Sequence, residues 1–105
     1  GDQLEADVIT LDPDLERVLQ QGLFPGAESA GLEPGLADEF MRQCRAAVER
    51  QEMLGRPAAM LVPDRLRMPL ARLLRRSVPN LRVLALSEIP DSKTVRVGTV
   101  VGGRT

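Results

Sequence analysis

Histidine, tryptophan and tyrosine are absent from this 105-residue chain, and cysteine occurs once, at Cys44. Without histidine the chain lacks the commonest general base and metal ligand, and it can form no Ser-His or Cys-His catalytic pair. A single thiol can form no internal disulfide and offers zinc no second sulfur ligand, and it is typical of a reducing, cytosolic setting. We therefore expect no enzyme activity, no bound metal and no cofactor.

Aromatic side chains are also scarce, because Phe24 and Phe40 are the only two. The core must therefore consist of Leu, Val, Met and Ala, and a nucleic-acid binder that stacks bases on aromatic rings is disfavoured. We find no apolar run long enough to cross a bilayer and expect no signal peptide. The first residue, Gly1, is not an initiator methionine, so we expect a fragment of a larger protein.

The formal net charge of −1 hides an uneven distribution along the chain. Up to Glu52 there are twelve acidic and four basic residues, whereas beyond it there are three acidic and ten basic ones, nine of them arginine. The two parts therefore carry charges of about −8 and +7. Opposite charges of this size favour docking of the two parts within one domain, with head-to-tail association of chains as the alternative.

Apolar periodicity and helix breakers predict the element order β-α-α-β-α-β-β. The fold class is α/β, or alternatively α+β, with about three helices on a small mixed sheet. The predicted elements are a strand at 8–10, helices at 13–22 and 34–55, a strand at 58–62, a third helix ending before Ser77, and strands at 81–86 and 94–100. Residues 58–86 should form a parallel, right-handed unit, and the last strand should lie at an edge. We expect one domain spanning 1–105, with 1–5 and 102–105 flexible.

The second helix has the clearest pattern in the chain. Leu36, Phe40, Cys44 and Val48 recur every fourth residue, and the spacing predicts that they face the core. No basic residue stands four positions from Cys44 on that face. The pattern therefore indicates a buried structural thiol and not a nucleophile.

The third helix contains Pro69, which leaves its start open. Either an irregular turn spans 64–68 and the helix begins at Pro69, or a longer helix is kinked there. We prefer the first alternative.

Two segments show weak signs of chemistry. Residues 98–103 are rich in glycine, but no lysine-containing phosphate motif and no helix follow them, so a flexible terminus is favoured. Glu88 and Asp91 are neighbours in one loop without further ligands nearby, which indicates turn chemistry and not a cation site.

Arginines are concentrated around the third helix. The set comprises Arg65, Arg67, Arg72, Arg75, Arg76 and Arg82. The solvated face of a helix is the simplest interpretation, but bidentate pairing with carboxylates of a partner is the attractive functional one, because the cations are arginine and not lysine. Arg72, Arg75 and Arg76 are the candidate protein-interaction residues, since helical spacing groups them on one side.

Three groups of residues appear together in one order and spacing. They are LEPGL at 32–36; AAMLV at 58–62 with LARLLRRSVP at 70–79; and LRVLALSEIP at 81–90 with VRVGTV at 95–100. In this arrangement the chain resembles the C-terminal end of the FHIPEP family, the large export-gate subunits of type III secretion that flagella and injectisomes share.

The resemblance implies protein transport without covalent chemistry. It implies the last cytoplasmic subdomain of a gate subunit at the cytoplasmic face of the bacterial inner membrane, anchored through an N-terminal membrane region. The implied partners are other subdomains and copies of the same protein in a ring of nine, chaperone–substrate complexes and other export-apparatus proteins, but no nucleic acid. Between the two systems we favour an injectisome, and therefore a role in virulence. The family's best-known chaperone-docking surface lies in earlier subdomains, so no binding residue is carried over.

A second hypothesis is a stand-alone regulatory or adaptor domain. Such a domain would bind an acidic protein or an anionic ligand through the arginine-rich helix. A nucleic-acid binder is the third hypothesis.

Overall fold

The computed structural model describes residues 4–23 and 32–102. Its elements in chain order are β1 (Leu4–Leu11), α1 (Pro13–Leu23), α2 (Pro34–Met53), β2 (Ala59–Val62), α3 (Asp64–Leu74), β3 (Arg82–Ala85) and β4 (Lys93–Val101). A single 3-10 turn, Leu86–Glu88, follows β3. The predicted element order and the α/β class are confirmed.

The four strands form one sheet in the order β3-β2-β1-β4. The β2–α3–β3 unit is parallel as predicted, and β4 lies at an edge as predicted. The pairings of β1 with β2 and with β4 are parallel as well. The described sheet is therefore parallel throughout, which corrects the expectation of a mixed sheet. Residues 86–92 carry the chain from β3 at one edge to β4 at the other.

All three helices contribute to one hydrophobic cluster against the sheet. Ile9 and Met60 are partners in neighbouring strands and are both fully buried. The helices add aliphatic residues and Phe40, which is 2% exposed. The helical members of this cluster are Leu19, Phe40, Cys44, Ala47, Val48, Leu66, Leu70 and Leu74. The predicted core face of α2 is thus confirmed for Phe40, Cys44 and Val48.

Helix α1 begins where the sequence predicts. The Asp12 carboxylate accepts hydrogen bonds from the backbone N–H groups of Asp14 and Leu15, at 3.0 and 3.3 Å, and so caps the helix. Leu19 is buried and Leu15 packs against the core, but Val18 is 40% exposed. The helix therefore packs against the core through Leu15 and Leu19.

Helix α3 starts well before Pro69, so the preferred prediction that the helix begins at Pro69 is wrong. A proline inside a helix lacks the N–H that would bond to the carbonyl four residues earlier, at a cost of about 3 kcal/mol. The longer helix, however, places Leu66 on the same stripe as Leu70 and Leu74, and each of the three is at most 1% exposed. Burial of a leucine contributes about 1.5–3 kcal/mol, which offsets the proline.

The strands near the two ends of the chain are longer than predicted. β1 begins at Leu4, because the whole strand pairs with β4. Leu4 and Glu5 thus belong to the sheet, and residues 98–101 are part of β4 and not a flexible terminus.

Gly102 follows with a φ of +94°, and a Cβ there would lie 2.5 Å from Cδ2 of Leu15. The remaining residues expected to be flexible, 1–3 and 103–105, lie outside the described residues, as do residues 24–31.

Candidate protein-interaction surface

Arg72, Arg75 and Arg76 lie together at the C-terminal end of α3. Arg72 is in the last turn, Arg75 is the C-cap residue, and all three side chains are exposed. Within residues 4–23 and 32–102, no carboxylate lies within ion-pair distance of any of them. Cations at this end of a helix are favoured by the helix dipole. Three adjacent guanidinium groups therefore remain available to a partner.

Apolar side chains lie between these arginines. Two shallow surface depressions meet at Arg72 and Leu73. One is lined by Leu23, Met68 and Pro69, and the other by Met41, Arg75, Arg76 and Ser77. Met68 is 51% exposed and its sulfur lies 3.6 Å from Nη2 of Arg72. We call the set of Met41, Met68, Arg72, Leu73, Arg75 and Arg76 the α3 surface.

Other arginines from the basic part of the chain have internal partners. Arg56 and Arg96 pair with Asp7, at 3.3 and 2.8 Å, so part of the basic segment docks onto the acidic one as predicted. Arg67 pairs instead with Glu88, at 3.3 Å, inside the basic segment. The predicted internal docking therefore applies to Arg56 and Arg96, and within the described parts of the chain no such pair involves the α3 surface.

Glu88 and its neighbours have a structural role. Its Oε1 atom accepts the backbone N–H of Ala85 at 2.8 Å, in addition to pairing with Arg67. The Asp64 carboxylate accepts the backbone N–H of Ser87 at 3.1 Å, and hydrogen bonding from Ser87 lowers the pKa of Asp64. These contacts support turn chemistry at Glu88. In the part of the chain that the structure describes, no group of His, Cys, Asp and Glu is arranged to hold a metal ion.

Cys44 is fully buried in the core. Burial raises the pKa of its thiol to about 12, although the charge of Arg45 acts in the opposite direction. A thiol with this pKa carries almost no thiolate near neutral pH, and the thiolate is the nucleophilic form. The structure therefore supports the prediction of a structural cysteine.

Sequence reasoning missed one residue, Gln51, whose side chain is fully buried. Its Nε2 donates to the carbonyls of Asp7 and Pro57, at 2.8 and 2.9 Å, and its Oε1 accepts from Oγ1 of Thr99 at 2.9 Å. One amide thus joins the end of α2 to β1, to the segment before β2, and to β4. A signal was present, because Gln51 stands seven residues after Cys44 and continues the apolar stripe of α2.

A β-bulge lies beside Gln51. Val8 pairs with Val97 and Ile9 pairs with Thr99, so Gly98 is the extra residue in β4. A Cβ at Gly98 would lie 2.9 Å from Cβ of Asp7 and 3.1 Å from Oε1 of Gln51. Glycine is therefore needed here for close approach, and the prediction that this segment is a loose glycine-rich tail does not hold.

Comparisons with known proteins agree with this fold. The model of the FHIPEP family matches residues 1–94. The flagellar biosynthesis protein FlhA of Yersinia enterocolitica is 50% identical over 98 residues, which are 93% of this chain. FlhA of Salmonella typhimurium is 48% identical over 100 residues, which are 95% of this chain. The chain spans 14% of the length of each.

Solved structures share the architecture at lower identity. The Shigella flexneri MxiA protein has a TM-score of 0.70 at 20% identity, covering 92% of this chain and 30% of that one. The C-terminal domain of InvA has a TM-score of 0.69 at 22% identity, covering 96% and 31%. Likeness at this identity concerns the fold alone. Among the described residues, no helix has the length and apolar character needed to span a membrane.

The family model covers most of the chain, and the flagellar relatives match nearly all of it. The resemblance seen in the sequence is therefore confirmed: this chain belongs to the FHIPEP family, the export gates of type III protein secretion.

Proposed function

We propose that this chain is a non-catalytic interaction subdomain of a type III export gate, and that the α3 surface contacts other proteins of the export apparatus. The curated relatives named above are flagellar proteins, so we propose a flagellar gate. Those relatives give no support to the injectisome that we favoured from the resemblance. The parent protein would hold this subdomain at the cytoplasmic face of the bacterial inner membrane.

The observation that carries this proposal is the set of unpaired cations on the α3 surface. Arg72, Arg75 and Arg76 are exposed and have no carboxylate partner in the described residues, whereas Arg56, Arg67 and Arg96 are paired. An arginine fork binds carboxylates in a bidentate manner, and such pairs contribute more when a partner excludes water. The α3 surface therefore suits a protein that presents carboxylates.

The apolar part of the α3 surface supports a protein partner over a small anion. Met68 is half exposed, and Met41 and Leu73 line the adjoining depression. Methionine side chains adapt to varied partner shapes, and arginine and methionine are enriched in interfaces. We propose two partners for this surface: a neighbouring copy of the gate subunit in a ring, or an incoming chaperone–substrate complex.

The test reverses the three charges, R72E/R75E/R76E, in the full-length protein. Each exposed cation at a helix C-terminus contributes only about 0.3–1 kcal/mol through the helix dipole, so the variant should still fold while secretion or ring assembly is impaired. A matched control, R17E/R82E/K93E, changes the net charge equally at exposed positions that do not belong to the α3 surface. Normal secretion by the first variant, or equal impairment by the control, would remove the α3 surface from the proposal.

Two further outcomes would favour the other hypotheses. Binding of nucleic acid at micromolar concentration, weakening steeply with salt as counterion release requires, would favour a nucleic-acid binder. Binding of an acidic protein unrelated to export, lost in R72E/R75E/R76E while secretion stays normal, would favour an adaptor role.

A further inference from the structure

The outer edge of β4 borders a groove on the opposite side from β1. β4 pairs with β1 alone in the described sheet. The groove is lined by Arg42, Gln43, Ala46, Ala47 and Arg50 from α2 and by residues 99–102 of the chain. An exposed strand edge presents backbone N–H and C=O groups on which a further strand can pair. This surface is separate from the α3 surface.

The hydrogen bonds at the end of β4 show which backbone groups point outward. The Val101 carbonyl accepts the N–H of Asp12 at 2.8 Å, so the backbone groups of Val101 face β1. The backbone N–H and C=O groups of successive residues in a strand point to opposite sides of it. Those of Val100 and Gly102 therefore point to the open edge. The Gly102 N–H donates to Oε1 of Gln43 at 2.9 Å, whereas Val100 offers its N–H and C=O to an incoming strand.

The bulge at Gly98 also arranges the side chains along this edge. Thr99 faces the helices, because its hydroxyl reaches Gln51 on α2. Val100 then faces the opposite side of the sheet, and the register shift places Val97, the partner of Val8, on that side too. Val97 and Val100 are 62% and 50% exposed. Apolar side chains of a strand added beside β4 would cover both valines.

The charge of the groove indicates the chemistry of the occupant. Among the residues that the structure describes, those lining the groove include two ionisable ones, and both are arginines, Arg42 and Arg50. Arg42 donates to Glu39 at 2.9 and 2.5 Å and lowers the pKa of that carboxyl to about 2. Arg50 has no carboxylate partner among residues 4–23 and 32–102. The groove is therefore complementary to a negatively charged segment.

We propose that β4 is a strand-addition site for an extended acidic segment of a partner protein. The segment pairs through its backbone with Val100, covers Val97 and Val100 with apolar side chains, and directs carboxylates towards Arg42 and Arg50. Main-chain hydrogen bonds supply affinity in this mode of recognition, and alternate side chains supply specificity.

The experiment measures binding of a synthetic peptide that alternates glutamate and valine to the 105-residue chain by fluorescence anisotropy. Val100→Pro removes the outward N–H and is compatible with an edge strand, since the N–H of Val100 does not face β1. Val100→Thr is the matched control, because it keeps the N–H and the β-branched shape. We expect V100P to weaken binding at least tenfold, V100T to retain it, and R50E to weaken it about as strongly as V100P.

Two further comparisons make the result decisive. Hydrogen exchange at the Val100 amide should slow when the glutamate–valine peptide binds, and a lysine–valine peptide should bind at least tenfold more weakly. A lower melting temperature for V100P than for V100T would show that V100P is less stable, so that its loss of binding has a second explanation. In that case the test is the hydrogen exchange of the Val100 amide in the unaltered chain, with and without the peptide. No binding, binding unaffected by both V100P and R50E, or an unchanged Val100 amide would each overturn the proposal. R72E/R75E/R76E should leave peptide binding unchanged, which separates this site from the α3 surface.

Discussion

Replacing Gln51 by alanine should destabilise the chain more than any exposed polar substitution. The change removes three hydrogen bonds of 2.8–2.9 Å and leaves the carbonyls of Asp7 and Pro57 and the hydroxyl of Thr99 without this partner. A typical hydrogen bond contributes about 1 kcal/mol net, and a buried group left unsatisfied costs about 1–3 kcal/mol. Water entering the vacated space would satisfy part of this demand. We therefore expect the free energy of unfolding to fall by about 3–5 kcal/mol.

The measurement is urea unfolding followed by circular dichroism, with Glu52→Ala as the control. Glu52 is the next residue of α2 and is exposed, so its truncation should change stability by less than about 0.5 kcal/mol. A second variant, Gln51→Glu, keeps the shape but replaces the donating amide by an acceptor that faces two carbonyls. It should also be strongly destabilising near neutral pH. A cost below about 1 kcal/mol for Gln51→Ala would show that the amide does not hold the three segments together.

The remaining predictions concern the core. Phe40→Ala should lower the free energy of unfolding by about 3–5 kcal/mol in the same urea experiment, because the ring is 2% exposed; a loss below about 1 kcal/mol would contradict its burial. The native Cys44 thiol should resist alkylation at pH 8 and react only on unfolding. Because folding raises the pKa of the Cys44 thiol from 9.0 to about 12, this thiol loses its proton at a lower pH in the unfolded chain than in the folded one. The free energy of unfolding should therefore fall between about pH 9 and pH 12. Cys44→Ala should flatten that part of the stability–pH curve, and an unaltered curve would argue against the shift.

Local signals in the sequence predicted much of this fold. The predicted start of α1 at residue 13 agrees with the cap that Asp12 provides, and the recurrence of Phe40, Cys44 and Val48 at every fourth residue located the buried side of α2. These features depend on neighbours within one or two turns of helix, which is the range that periodicity and capping describe. The edge position predicted for the last strand agrees with the sheet order.

The errors arose where distant parts of the chain decide the outcome. The start of α3 depends on Leu66, whose burial against other elements outweighs the unfavourable Pro69. The length of β1 depends on pairing with β4, which no local pattern in residues 4–7 reveals.

The candidate sites show the same difference between features set by local sequence and features set by distant parts of the chain. The exposed cluster of Arg72, Arg75 and Arg76 could be predicted from helical spacing, but which other arginines are paired could not, because Asp7 meets Arg56 and Arg96 only in the folded chain. The edge position of β4 could be predicted, but the groove beside it could not, because it exists only where α2 packs next to β4 in the folded chain. Gln51 was overlooked because a glutamine on an apolar stripe can be assigned to the core only when its partners are known.

The pairing of β1 with β4 also has a consequence for biosynthesis. Leu4 pairs with Lys93 and Leu11 with Val101, so β1 leaves the ribosome well before β4, its partner on one of its two sides. Closing so long a loop carries an entropic cost before any contact rewards it, and folds dominated by such contacts form slowly. Helices α1 and α2 can form while synthesis continues, but the edge of β1 stays open until Val101 has emerged. The cooperative unit is therefore completed only when β4 is available, and a chain that stops before Lys93 would leave that edge of β1 unpaired and prone to aggregation.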